Sequence, residues 1–155
     1  MRNLIIIFSV LLSAGYRSQT DLYSQLKKII HQTHPEINTD GKLLALNSWS
    51  IDDPASREAN KSFDRTYSVY EYAKLKGGPK GIVVVAINKD NLSSMATITY
   101  TKDGIHKVIS LGIEKFDGTD FNLVSNMIFD SSGSLIYKNL PSSQIFSSVN
   151  QVEAK

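Results

Sequence analysis

The residues best suited to chemistry lie in the run Asp52-Asp53-Pro54-Ala55-Ser56-Arg57. It holds two adjacent carboxylates, a hydroxyl and a guanidinium. Paired carboxylates do acid–base work when their surroundings push their proton affinities apart, and an arginine beside them can hold an anionic group. The same run also suits a structural task. Aspartate is a favoured helix N-cap, and proline fits the first helical position, where a missing N–H costs nothing. Capping is therefore the favoured role for Asp53, and Arg57 is read as a solvated or salt-bridged side chain. His31, His34 and Glu36 are the other cluster of potential ligands. They read as solvated groups at a helix end, where the dipole favours them, and no metal site is expected. There is no Gly-x-Ser-x-Gly elbow and no His-Glu-x-x-His motif.

Positioning those residues requires a strand before them and a helix after them. Residues 43–46 are an apolar run leading to Trp49, and Pro54 opens a helical pattern that runs to about residue 75. Ala55, Ala59, Phe63, Tyr67 and Tyr70 recur at helical spacing and are expected to lie against a sheet. Upstream, residues 20–34 place Leu22, Leu26, Ile29 and Ile30 on one face of a helix that Pro35 ends. Downstream, residues 81–88 (GIVVVAIN) are unbroken and β-branched, which suits a central strand covered on both faces. If this strand runs parallel to the first, Lys89-Asp90-Asn91 closes it at the edge that carries the Trp49 turn. Residues 92–103 mix strand-type composition with helical spacing. A crossover between parallel strands is needed there, so a helix is expected. A short strand over 107–111 follows, then strands over 121–130 and 134–137 joined as a hairpin by Ser131-Ser132-Gly133. A last helix covers 141–152.

On these residues a resemblance can be stated. Residues 43–58 resemble the active-site segment of thioredoxin-like proteins, particularly the secreted and periplasmic thiol-disulfide reductases of the TlpA type. Trp49-Ser50 stands where those proteins have Trp-Ala, and Arg57 stands where an arginine follows Cys-x-x-Cys. The two cysteine positions fall on Asp53 and Ser56. The resemblance covers roughly residues 20–150, including the Asp-x-x-Gly hairpin and the C-terminal helix. It implies an α/β fold, a three-layer sandwich in which a central mixed sheet carries helices on both faces. It also implies a binding edge. In active relatives an extended peptide hydrogen-bonds there to the loop before the strand that ends at Asp130. That loop carries a cis-proline in the family; here the position falls on Val124 or Ser125, and a trans peptide is expected.

The chain has no cysteine among its 155 residues. This excludes disulfides, thiolate metal sites, cysteine nucleophiles and thiol lipid anchors. With the proline missing as well, the resemblance carries the fold without the thiol–disulfide chemistry, and no cofactor is expected. The balance of 17 basic and 15 acidic residues contains no basic block, hence no footprint for nucleic acid or an anionic membrane. Residues 1–15 read as a signal peptide: a positive start, an apolar core over 4–12, and small residues before a cut between 14 and 19. Its apolar core is shorter than the roughly 20 residues a span needs, so no stable membrane span is expected after its removal. A single domain over 20–152, exported to the periplasm or the extracellular space, is the expectation.

The leading expectation for function is a protein- or peptide-binding or scaffold module using Trp49, Ser50, Asp52, Asp53, Ser56, Arg57, Val124 and Ser125. The alternative is a non-redox enzyme acting at the same edge through Asp53, Ser56 and Arg57. A perturbed carboxylate in a closed pocket would favour the enzyme, and an open apolar patch near Trp49 the module. Trp49 itself is either the apolar anchor of the surface or a side chain buried under the helix.

Overall fold

The computed structural model of the chain describes residues 22–70, 81–90, 92–116 and 124–153. The signal peptide, its cut and the expected helical stretch 71–75 lie outside the described residues. The chain forms two compact units, Met1–Asn38 and Thr39–Lys155. In the first unit, helix α1 spans residues 22–33 and stops before Pro35. Leu22, Leu26, Ile29 and Ile30 share one of its faces, as their spacing requires.

The second unit is built on a five-stranded sheet. Its strands are β1 (Leu43–Trp49), β2 (Ile82–Asn88), β3 (Ile109–Gly112), β4 (Met127–Phe129) and β5 (Leu135–Tyr137), in the spatial order β3-β2-β1-β4-β5. β1 and β2 are parallel, with Leu43 opposite Ile82 and Trp49 opposite Asn88. Because they end level, the turns that follow them open at the same sheet edge, the place where α/β folds bind ligands. All seven residues of each strand are buried, which is why β2 and residues 43–46 of β1 read as unbroken apolar runs rather than alternating ones.

Helix α2 (Pro54–Tyr70) crosses from β1 to β2 and α3 (Ser93–Asp103) from β2 to β3. The ambiguous stretch 92–103 is thus helical, because two parallel neighbours cannot be joined by a hairpin. Gly104, at φ 70°, ends α3 in the left-handed conformation and returns its N–H to the carbonyls of Thr101 and Tyr100. Helix α4 (Ile145–Glu153) closes the chain after a 3-10 turn at Ser142–Gln144, so the regular helix begins later than Pro141. One core joins alternate β1 and β2 residues (Leu43, Ala45, Trp49, Ile82, Val84, Ala86) to Phe63 of α2, Tyr100 of α3 and Ile145 and Val149 of α4. The intervening residues Leu44, Leu46, Val83, Val85 and Ile87 are buried too, so both faces of the sheet are covered. Ala55, expected in the α2 core face, is exposed in the first turn.

β4 is shorter than the strand expected over 121–130. Residues 121–123 lie outside the described residues, and residues 124–126 leave the ladder. Asn126 has φ 43°, and the carbonyls of Ser125 and Asn126 accept from the N–H groups of Asn139 and Leu140. The β4–β5 hairpin is fastened by Asp130, whose Oδ1 accepts from the N–H groups of Ser132 at 2.8 Å and Ser134 at 2.9 Å.

Candidate functional site

The β1–α2 junction is built from side chain to backbone. Asp53 Oδ1 accepts from the Ala55 N–H at 3.1 Å, and the Ser56 N–H adds to the hold on the carboxylate. Asp53 is therefore the N-cap of α2. Partial burial acts to raise its pKa, but these hydrogen bonds, with nearby Lys89, outweigh burial and hold the carboxyl below its usual range. The Ser56 hydroxyl donates to the Asp53 carbonyl at 3.0 Å and accepts from the Ser50 N–H at 3.3 Å. From beneath, Asn47 Nδ2 donates to the Ser56 carbonyl at 3.0 Å and to Asn60 Oδ1 at 2.7 Å. The neighbouring β2 end contributes Asp90, whose Oδ2 accepts from the Ile51 N–H at 2.6 Å, while the Lys89 N–H bonds to the Trp49 carbonyl.

The loop before β4 meets this junction. The Ser48 hydroxyl donates to the Val124 carbonyl, tying the end of β1 to the loop. Between them opens a cleft of about 360 Å³, lined by Ser48, Asp53, Ala55, Ser56, Lys89, Val124, Ser125, Asn126, Pro141 and Ser142. Asp53, Ser56, Val124 and Ser125 all line this cleft. No peptide bond among the described residues is cis.

The other four expected site residues do not line the cleft. Trp49 is 0% exposed and stacks on Tyr100 with ring centroids 5.0 Å apart. This corrects its reading as a surface anchor: it ends a strand whose two faces are both covered, so no alternation turns it outward. The Tyr100 hydroxyl is pushed up well beyond its ordinary pKa by burial. For Arg57 the salt-bridged reading holds, and its place among the binding residues does not. Its guanidinium is held by Asp103, with Nε to Oδ2 at 2.8 Å and Nη2 to Oδ1 at 2.6 Å, and this leaves it to structure rather than to a ligand. Ser50 spends its N–H on Ser56, and Asp52 is exposed beyond the rim.

Sequence reasoning did not single out Ser48, Ala55, Lys89, Pro141 or Ser142 as site residues. The placement of Lys89 at the same edge as the Trp49 turn was the available signal for that residue. Pro141 and Ser142 come from a segment whose approach to the loop no local pattern encodes.

Chemically, the cleft offers hydroxyls, one ammonium and one ionised carboxylate. The Ser56 hydroxyl gives its hydrogen to the Asp53 backbone carbonyl rather than to a base, and an aspartate in the first cysteine position can cap a helix but cannot attack a disulfide. Among the described residues no three His, Asp or Glu side chains gather as metal ligands; His34 Nδ1 lies 3.4 Å from Glu36. No helix among them is long and apolar enough to cross a membrane.

No protein-family profile matches the chain, and no curated protein sequence matches it. Solved structures do. The chain is similar to the thioredoxin domain of a thiol-disulfide oxidoreductase from Bacteroides vulgatus, at 15% identity and TM-score 0.55, over 74% of this chain and 81% of that one. A thiol:disulfide interchange protein from a Bacteroides species matches at 14% identity and TM-score 0.55, over 76% of each chain. A secreted thiol-disulfide isomerase from Corynebacterium glutamicum matches at 15% identity and TM-score 0.53, over 75% and 73%. Its mixed five-stranded sheet and these neighbours make this chain a thioredoxin-like α/β fold, carried by a sequence without a cysteine.

Proposed function

We propose that the chain is an exported thioredoxin-like domain that binds an extended peptide or protein segment and performs no thiol–disulfide exchange. The observation that carries this reading is the open cleft between the Asp53 cap and the Val124–Asn126 loop, in the absence of any cysteine. Peptide capture by backbone hydrogen bonds needs no thiol, so this mode can outlast the redox chemistry. The cleft is polar and serine-rich rather than an apolar patch around Trp49. Backbone complementarity, not one buried hot spot, is then its source of affinity. Export rests on the apolar stretch at 4–12 and on the secreted character of the Corynebacterium neighbour.

The non-redox enzyme reading has less support. Arg57 is engaged elsewhere, and Asp53 is held ionised in an open cleft rather than poised as a general acid. The test is binding of fluorescein-labelled random peptide pools to the wild type and to Ser125→Trp, which fills the cleft. Saturable binding lost in the folded Ser125→Trp protein supports the reading. Equal binding by both proteins removes the cleft from consideration.

A further inference from the structure

The chain carries three methionines and no cysteine. A thioether is oxidised when its sulfur meets a peroxide-class oxidant in solution, so exposure decides which methionine reacts. Met1 lies outside the described residues. The other two have opposite surroundings. Met127 is on β4, opposite Leu46 of β1 in a sheet covered on both faces, and is 3% exposed. Met95 stands in the first turn of α3 and is 46% exposed.

The groups that would compete for the oxidant are missing or enclosed. A thiolate is the stronger nucleophile and would be attacked first, but the sequence supplies none. The indole of Trp49, the one tryptophan, is buried against Tyr100. Among the described residues, Met95 therefore holds the one sulfur open to solvent.

Its neighbours give the reaction a consequence. Leu92 at the N-cap of α3, Met95 and Ile98 recur three residues apart and are all exposed, so Met95 is the middle of an apolar stripe. The residues between them, Ser93, Ser94, Ala96 and Thr97, carry no charge. A sulfoxide places a polar, chiral group with an acceptor oxygen at the centre of that stripe. The fold tolerates it there, because α3 packs inward through Ala96, Thr99 and Tyr100. The same oxygen on Met127 would enter a packed core, where a polar group is costly unless hydrogen-bonded.

We propose that Met95 is a methionine-oxidation site, where peroxide-class oxidants form the sulfoxide in the folded protein and turn an apolar patch polar. With hydrogen peroxide, the sulfur lone pair attacks one oxygen. An S–O bond forms as the O–O bond breaks, and the second oxygen leaves as water. Sulfur loses two electrons and the peroxide gains them. A methionine sulfoxide reductase reverses the step, removing the oxygen as water while two thiols become a disulfide. The inference stands apart from the peptide-binding reading.

The test treats the folded full chain with hydrogen peroxide and maps its tryptic peptides by mass. These separate Met95 (residues 90–102) from Met127 (residues 116–138). Met95 should gain one oxygen roughly tenfold faster than Met127, and the two rates should converge in denaturant. On a hydrophobic-interaction column the oxidised protein should elute earlier, with its melting temperature kept. Methionine sulfoxide reductases with dithiothreitol should restore the original elution. Met95→Leu, a swap of similar volume, should elute unchanged through the same peroxide treatment. Equal rates at Met95 and Met127 in the folded protein overturn the inference, as does earlier oxidation of Trp49. Unchanged elution of protein oxidised at Met95 alone, or an equal shift in Met95→Leu, likewise overturns it.

Discussion

Arg57, in the first turns of α2, and Asp103, the last residue of α3, lie 46 positions apart and meet through two hydrogen bonds of 2.8 and 2.6 Å. The Asp103 side chain is only 5% exposed and that of Arg57 25%. Such a fork is geometrically specific, and truncating one partner strands the other in a partly dry site. Asp103→Ala should cost about 2–3 kcal/mol, and Asp103→Asn less, because one acceptor survives. Chemical denaturation of both variants checks this. Wild-type stability in Asp103→Ala would make the pair ornamental.

The acid response follows from three aspartates. The Arg57 hydrogen bonds hold the Asp103 carboxyl below its ordinary pKa, despite partial burial. For Asp53 and Asp130 burial pushes up, but hydrogen bonds outweigh it: from Ser56 and Ala55 on Asp53, and from Ser132, Ser134 and Gly133 on Asp130. A carboxyl depressed on folding adds stability that is full above its unfolded pKa of about 3.9 and lost as pH falls through the folded value. The denaturation midpoint should stay level, as far as these groups decide it, down to about pH 5 and fall below about pH 4. The fall should be shallower in Asp103→Asn. A midpoint constant from pH 5 to pH 3 would contradict the assignment.

Removing the α2 cap isolates one contribution. Asp53→Ala should lower stability by about 0.5–2 kcal/mol, or about 2–4 °C in melting temperature per kcal/mol for a chain of this size. Asp53→Ser should recover most of it, since serine caps comparably. Equal melting temperatures for the wild type and Asp53→Ala would show the cap to be dispensable.

Trp49 separates core from surface. Trp49→Ala empties a fully enclosed site against Tyr100 and should cost about 3–5 kcal/mol, with Trp49→Phe milder. Circular dichroism reports both, since the chain has one tryptophan. A folded, equally stable Trp49→Ala protein would return that side chain to the surface.

In the insulin-reduction assay, turbidity should rise no faster than with dithiothreitol alone, because no thiolate exists to form a mixed disulfide. Catalysis clearly above that background would refute the redox-inactive assignment.

The parts of this fold that were legible are those with local causes. The β-branched run of β2, the Asp53-Pro54 helix start and the Asp130 hairpin each follow from residues adjacent in sequence. The helix over 92–103 was legible through its helical spacing and the crossover that parallel strands need, against a strand-type composition. Its apolar residues fall on both faces, with Leu92, Met95 and Ile98 exposed while Ala96 and Tyr100 are buried. Trp49 stayed open because a strand covered on both sides carries no alternation to read. The Arg57–Asp103 fork and the Ser48–Val124 contact join residues 46 and 76 positions apart. No spacing rule reaches that far, so the partner of Arg57 and the tether between Ser48 and Val124 had to be seen.

The two margins of the described sheet are β3, four residues long, and β5, three residues long with a register shift against β4. A free sheet margin is a template on which another chain can polymerise, and brevity and irregularity blunt it. The long, apolar, aggregation-prone strands β1 and β2 sit inside, each flanked on both sides. Concentrated folded protein should therefore remain dispersed, and its fibril-forming hazard is confined to states in which β4 or β3 has peeled away.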